Sequence, residues 1–282
     1  LTPHELSRFE NTSQPGLASN GIVDIRGVGD SLLFFGTGRG LSFGEITFNH
    51  TDSIKFGYFD QSIVMPYGGN PALAVFGDVI AVSGIIDTAL AIDPDAVKGT
   101  GISYSTDAGA TWTYLPQPID SLPPDGSYQL VNWGEQEIPA LAVTTEIYNI
   151  SYDLAVNENF IYAASWAGGF RRFDYTTETE IVDWEIIPMP MDDDFQLYCG
   201  YIDTSLYEIN PRVPSDGGSH NHKGFSVMAI QKDDGSNWVW AGSAAGINKG
   251  WVESDCINWL NHYTSLNSNI SGNWVIGITY QE

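Results

Sequence analysis

Basic residues are scarce in this chain: 282 residues carry 11 Lys and Arg against 35 Asp and Glu, a formal net charge of −24. The acid content is ordinary, so the imbalance reflects missing base; charged residues average about 25% of a globular chain and make up 16% here. A surface this poor in cations repels phosphate backbones and anionic lipid, which disfavours nucleic-acid binding and membrane-surface attachment. Long apolar runs are missing too. No stretch of about 18 or more apolar residues occurs, so nothing reads as a membrane-spanning helix. No helical-period segment of convincing length is present either, which argues against a βαβ sheet and leaves a few short turns as the expected helix content. Cysteine is limited to Cys199 and Cys256. In an oxidising compartment the two could close one disulfide, worth about 4 kcal/mol in the chain-entropy view; two separate buried thiols are the other reading. Finally, G-x-x-x-x-G-K-S/T, H-E-x-x-H, C-x-x-C and the nucleophile elbow are all absent, so no catalytic residue is assigned.

What the chain has is apolar mass: 43% hydrophobic and 13% aromatic residues, enough for one large all-β domain or two small ones. Its start at Leu1-Thr2-Pro3-His4 reads as a processed product whose targeting segment lies upstream. With the acidic balance, this places the expected location in secreted, periplasmic or extracellular-surface space. N-x-S/T sequons at Asn11, Asn49, Asn149 and Asn269 would permit glycosylation in a eukaryote and are equally expected by chance.

The most informative segment is Ser105-Thr106-Asp107-Ala108-Gly109-Ala110-Thr111-Trp112. Gly109 supplies the positive φ of a tight turn, Ser105 and Asp107 can bond the turn's own backbone, and Trp112 is an apolar anchor beside it; Thr111 fills the remaining fixed position of the pattern. The pattern S-x-D-x-G-x-T-W resembles the Asp box of the BNR-type β-propeller superfamily, which includes sialidases, xyloglucan-active glycosidases, sortilin-type receptors and photosystem assembly factors. The resemblance implies a propeller and does not choose among those activities.

Self-comparison agrees with that fold. A short apolar strand, a small-residue turn and a second strand recur at 32–43, at 79–84 with 99–105, at 160–173 and at 238–249. Each copy follows an alternating strand and precedes an aromatic one, as four-stranded antiparallel blades require. The expected organisation is a single β-propeller domain or propeller fragment over 1–282. Residues 1–20 are an outer strand and linker, 21–69 blade 1, 70–118 blade 2 with the Asp-box turn, 119–145 an insertion, 146–190 blade 3, 191–223 an insertion, 224–264 blade 4 and 265–282 the start of the next blade. Residues 6–25 resemble 260–278, an outer strand running into an inner one, so the four full blades read as part of a larger ring of roughly six to eight; a closed four-bladed ring is the alternative. The phrases around 240–248 and 262–273 also resemble repeat propellers of secreted or cell-surface bacterial proteins, where the resemblance implies binding or scaffolding.

Several residue groups bear on chemistry. A sialidase-like site needs an arginine triad, and Arg8, Arg26, Arg39, Arg171, Arg172 and Arg212 include no F/Y-R-I-P segment. An inverting glycosidase needs two spaced carboxylates; Asp24, Asp153, Asp192, Asp193 and Asp194 are candidates that no motif ranks. His220 and His222, near Asp216, would share one side of an extended segment and could hold a metal, and Asp192–Asp194 or Asp233–Asp234 could offer oxygen to Ca²⁺. The competing expectations are a polar loop and a hairpin turn, with no cofactor. The resulting expectation is a non-catalytic module for protein–protein interaction or assembly. The rival is a glycan-binding or glycan-cleaving propeller in which Trp133, Trp166 and Trp274 stack on sugar rings.

Overall fold

The structure, a computed structural model, describes residues 13–48, 53–59, 64–121, 128–177, 184–253 and 255–280. The chain is all-β, with 3-10 turns at Pro214–Asp216 and His220–His222. It divides into two compact units, residues 1–117 with 146–158 and residues 118–145 with 159–282.

In the first unit, β1 (Ser13–Pro15), β2 (Ile22–Val28), β3 (Leu32–Thr37), β4 (Gly40–Thr47) and β5 (Ser53–Phe59) form an antiparallel sheet of order β1-β5-β4-β3-β2. A second sheet runs β6 (Leu73–Phe76), β7 (Val79–Asp87), β8 (Val97–Ser105), β9 (Thr113–Leu115), each strand beside its sequence neighbour. That meander is the blade pattern, and the excursion between β7 and β8 falls at 88–96. Leu32, Phe34, Leu41, Phe43 and Phe59 of the first sheet bury against Leu73, Ile80 and Val82 of the second. Each such side chain contributes about 1.5–3 kcal/mol on full burial. β12 (Ser151–Val156) packs on β6 and β7, and the Ser83 hydroxyl donates to the Ser151 carbonyl at 3.2 Å.

The second unit holds β13 (Phe160–Ser165), β14 (Gly169–Asp174) and β15 (Glu185–Ile186), antiparallel neighbours in that order. It also holds the meander β16 (Gly224–Gln231), β17 (Asn237–Ser243), β18 (Ile247–Val252), β19 (Ile257–Tyr263). β13 is buried along its whole length. Small residues such as Ala163 and Ala164 let it pack on both faces, as the sequence pattern requires. A hydroxyl recurs at the ends of β3, β13 and β17. Thr37 Oγ1 accepts from the Arg39 amide, Ser165 Oγ from Gly168, and Ser243 Oγ from Ala245 and Gly246, so each tight turn has an internal acceptor for its free N–H groups.

The insertions and end strands expected from sequence take the following form. The 119–145 insertion contains a hairpin of β10 (Tyr128–Trp133) and β11 (Gln136–Leu141). Its two-residue loop puts Gly134 at φ 60°, a conformation in which glycine has no Cβ penalty. Segment 191–223 forms no strand, yet it is held by long-range hydrogen bonds described below. At the N-terminus, Ser13–Pro15 pairs with β5 as a fifth strand; the strand expected over 6–11 lies outside the described residues. Finally, the strand expected over 270–278 forms no ladder. Among the described residues, its one backbone bond to a strand is Val275 N–H to the Ser243 carbonyl, at 3.1 Å.

Candidate interaction surface

The Ser105–Trp112 turn is closed by its own side chains. Ser105 Oγ donates to Asp107 Oδ1 at 2.8 Å and accepts from the Gly109 amide at 2.7 Å. Asp107 accepts from the Thr111 amide and hydroxyl, at 2.7 and 2.8 Å, and the Trp112 indole donates to the Gly109 carbonyl. Desolvation opposes the charge on Asp107, but the bonds from Thr111 and Ser105 outweigh it and hold the carboxyl below its ordinary value. Trp112 stands edge-on to Phe59, 5.5 Å between ring centroids. The turn's polar atoms are therefore spent inside blade 2, and its half-buried ring packs against the core.

The candidate carboxylates are similarly engaged. Asp24 pairs with Arg26 at 2.5 Å and accepts from the Leu73 amide; Arg26 also reaches Asp153 at 3.6 Å. Burial pushes Asp24 upward, against the pull of Arg26. Two of the acids that the sequence could not rank thus share one guanidinium, a strap from β2 to β12. Asp192 accepts from the Ser219 hydroxyl and the amides of His220 and Asn221, capping the 3-10 turn. Asp193, Asp194 and Asp233 are exposed, and Asp234 bonds the Ser236 amide and hydroxyl in the β16–β17 turn.

His220 and His222 lie on that 3-10 turn rather than on an extended segment, so their rings do not share a side. His222 is buried: its Nδ1 accepts from the Asn210 amide, and its Nε2 faces the Tyr207 hydroxyl at 3.2 Å. Burial holds its pKa below the ordinary imidazole value, and the same burial pushes Tyr207 up. His220 Nδ1 meets Lys223 Nζ, and Asp216 is exposed. Among the described residues, the one trio of His, Cys, Asp or Glu with converging ligand atoms is Cys199, Glu253 and Cys256. Its two sulfurs are bonded to each other across a 6.2 Å Cα separation, 57 residues apart in sequence.

Of the tryptophans considered for sugar stacking, Trp133 is buried at 1% exposure, under the Arg172 guanidinium. Trp166 and Trp274 do come together. Their centroids are 5.6 Å apart, with Phe225 against both, and Lys223 Nζ lies 5.2 Å from the Trp166 centroid. Of the sequons, Asn149 is buried and Asn269 exposed; Asn11 and Asn49 lie outside the described residues.

The disulfide organises a surface that sequence reasoning missed. Leu197 exchanges backbone bonds with Trp259 of β19, and the Cys199 amide donates to the Asn258 side chain. Farther along, the Gln136 side chain on β11 bonds both the amide and the carbonyl of Ile202, at 3.0 and 2.8 Å. Ile209 then bonds Pro139 and Leu141, bridging in parallel to Ala140. Between these anchors Asp203 takes the Ser205 amide and hydroxyl on its carboxylate, and its carbonyl takes the amides of Leu206 and Tyr207. The loop so pinned exposes Tyr201 at 88% and Leu206 at 84%, with Phe195 and Tyr198 also on the surface. Beside it, Tyr128 of β10 meets the Glu208 carboxylate, which raises the phenol's pKa. The signal available in sequence was the aromatic content of a segment with loop composition, together with one of the two cysteines.

No protein-family model matches the sequence, and no curated protein matches it significantly. Among solved structures the chain is similar to the WD40 β-propeller domain of Doa1, at 8% identity and a TM-score of 0.36, over 87% of this chain and 55% of that one. It is also similar to the computationally designed Ika8 protein, at 9% and 0.32, over 95% and 80% of the two chains. A further likeness is to the extracellular domain of the hybrid two-component system BT4673 from B. thetaiotaomicron, at 12% and 0.29, over 94% and 36%. The chain spans about half the length of the Doa1 domain chain.

Proposed function

We propose that this chain is a non-catalytic β-propeller module for protein–protein interaction, secreted or displayed on a cell surface. The observation that carries the reading is the pinned loop. Tyr201 and Leu206 are exposed apolar side chains on a backbone already immobilised by the Cys199–Cys256 bond and by Gln136. Rigid aromatic anchors bind with little further loss of entropy, which is why tyrosine is over-represented at energetic centres of interfaces. The disulfide and the shortage of base suit an oxidising, extracytoplasmic setting. Replacing Tyr201 and Leu206 with Ser should leave the melting temperature nearly unchanged while weakening partner binding by about tenfold or more; full retention of binding in the double variant would sink the proposal.

The second reading, glycan binding, is favoured by one feature, the Trp166–Phe225–Trp274 cluster with Trp274 at 66% exposure. A glycan array probed with the intact chain and with Trp274→Ala separates the two. Sugar binding that vanishes in the variant supports the glycan reading.

A further inference from the structure

The outer face of blade 4 repeats, position for position, a face that blade 1 covers with its neighbour. In blade 1, Leu32 pairs with Glu45, Phe34 with Phe43 and Gly36 with Leu41; in blade 4, Trp238 pairs with Trp251, Trp240 with Lys249 and Gly242 with Ile247. The two sets superpose in register. In blade 1, the chain entering blade 2 crosses over Gly36: the Asn70 amide donates to the Thr37 carbonyl at 2.8 Å, and a Cβ on Gly36 would stand 2.4 Å from the Asn70 oxygen. In blade 4, the Val275 amide donates to the Ser243 carbonyl at 3.1 Å, and a Cβ on Gly242 would stand 2.5 Å from the Val275 oxygen. The Ser226 hydroxyl donates to the same Val275 oxygen. Val275 therefore occupies the place of Asn70, the last residues before an inner strand.

Beyond these two residues the blades diverge. After Asn70, β6 opens a four-stranded sheet whose Leu73, Ile80 and Val82 bury Leu32 and Phe34 to 2% exposure or less. After Val275, Ile276 and Tyr280 stand exposed without a ladder, and the face beside them carries half-buried Met228, Ile230, Trp238 and Trp240 and exposed Trp251. Lys249 Nζ lies 4.7 and 5.3 Å from the Trp238 and Trp240 centroids.

We propose that Val275–Tyr280 leads into and opens the inner strand of a further blade, and that the occupant of the Trp238/Trp240 face is the rest of that blade's sheet, carried by polypeptide that continues from Glu282. This inference is independent of the Tyr201 surface. The register makes it testable, because Val275 in the place of Asn70 puts Glu282 in the place of Gly77. A copy of residues 78–115, or in a second version a copy of 30–59, joined directly after Glu282 supplies the missing strands in phase. Hydroxyl-radical labelling of Trp238 and Trp240 and amide exchange at 276–280 are compared with the unextended chain. Labelling should fall several-fold and exchange should slow by about tenfold or more on extension, and Trp240→Asp should reverse both. Two outcomes overturn the proposal: both extensions leave the tryptophans and 276–280 unprotected, or the unextended chain shields them as its concentration rises and it sediments as a dimer, which makes the occupant a second copy.

Discussion

Asp120 and Arg171 show how much a single residue can decide here. Their 2.5 Å ion pair is almost wholly buried, and Asp120 also accepts from the amides of Val143 and Thr144. Burial opposes its charge, yet Arg171 and the Thr144 amide hold Asp120 below its ordinary value. Removing one partner leaves a buried charge alone, so Asp120→Ala should cost about 3–5 kcal/mol in urea unfolding, far more than the same change at exposed Asp193. A second residue sets an acid limit. His222 has a folded pKa lowered from 6.5 by burial, so the unfolded state takes up the proton first. Its neutral form is compatible with the fold above the unfolded value, and stability falls as pH drops below about 6.5. The slope between pH 7 and 5 should therefore be shallower in His222→Gln; an unchanged slope would assign the acid sensitivity elsewhere. The Ser105–Trp112 turn belongs to the same scale: its meaning was legible in sequence because every bond in it is local.

Elements carry the surface. The loop after residue 191 is ordered by β19 on one side and β11 on the other, and the disulfide closes 57 residues of chain. Reduction, or Cys199→Ser with Cys256→Ser, should lower stability by up to about 4 kcal/mol and speed amide exchange first over 195–209. If exchange there is unaltered, the hydrogen bonds alone hold the loop. The blades were readable because an alternating strand leads into a short apolar strand that ends in a small-residue turn, patterns set by immediate neighbours. The β10–β11 hairpin was read as loop because Pro139 and the charged Glu135 and Glu137 mask its alternation, and its pairing partner lies across one glycine turn. The strand expected over 270–278 failed for the opposite reason. Alternation was present, but a strand needs a ladder, and the described chain offers it one carbonyl, at Ser243.

For the whole molecule, charge is the governing quantity. A net charge of −24 opposes compaction through self-repulsion that salt screens within roughly 10 Å at 0.1 M. Raising NaCl from about 10 to 300 mM should therefore lift the melting temperature by a few degrees, whereas a flat or falling response would mean that buried pairs such as Asp120–Arg171 outweigh the surface. The same excess keeps polyanions away, so the chain should pass through heparin resin unretained.

By itself the sequence determined the class of sheet, the place of the blade cores, the self-closing Ser105–Trp112 turn and the acidic surface. All arise from composition or from contacts a few residues apart. Only the tertiary structure decided that Asp24 and Asp153 share Arg26, that His222 is a core group, and that Trp133 is buried while Trp166 and Trp274 meet. It also decided that a loop-like segment is pinned to expose Tyr201. Each of these depends on residues tens to more than a hundred positions apart, whose meeting is set by packing that no local pattern encodes.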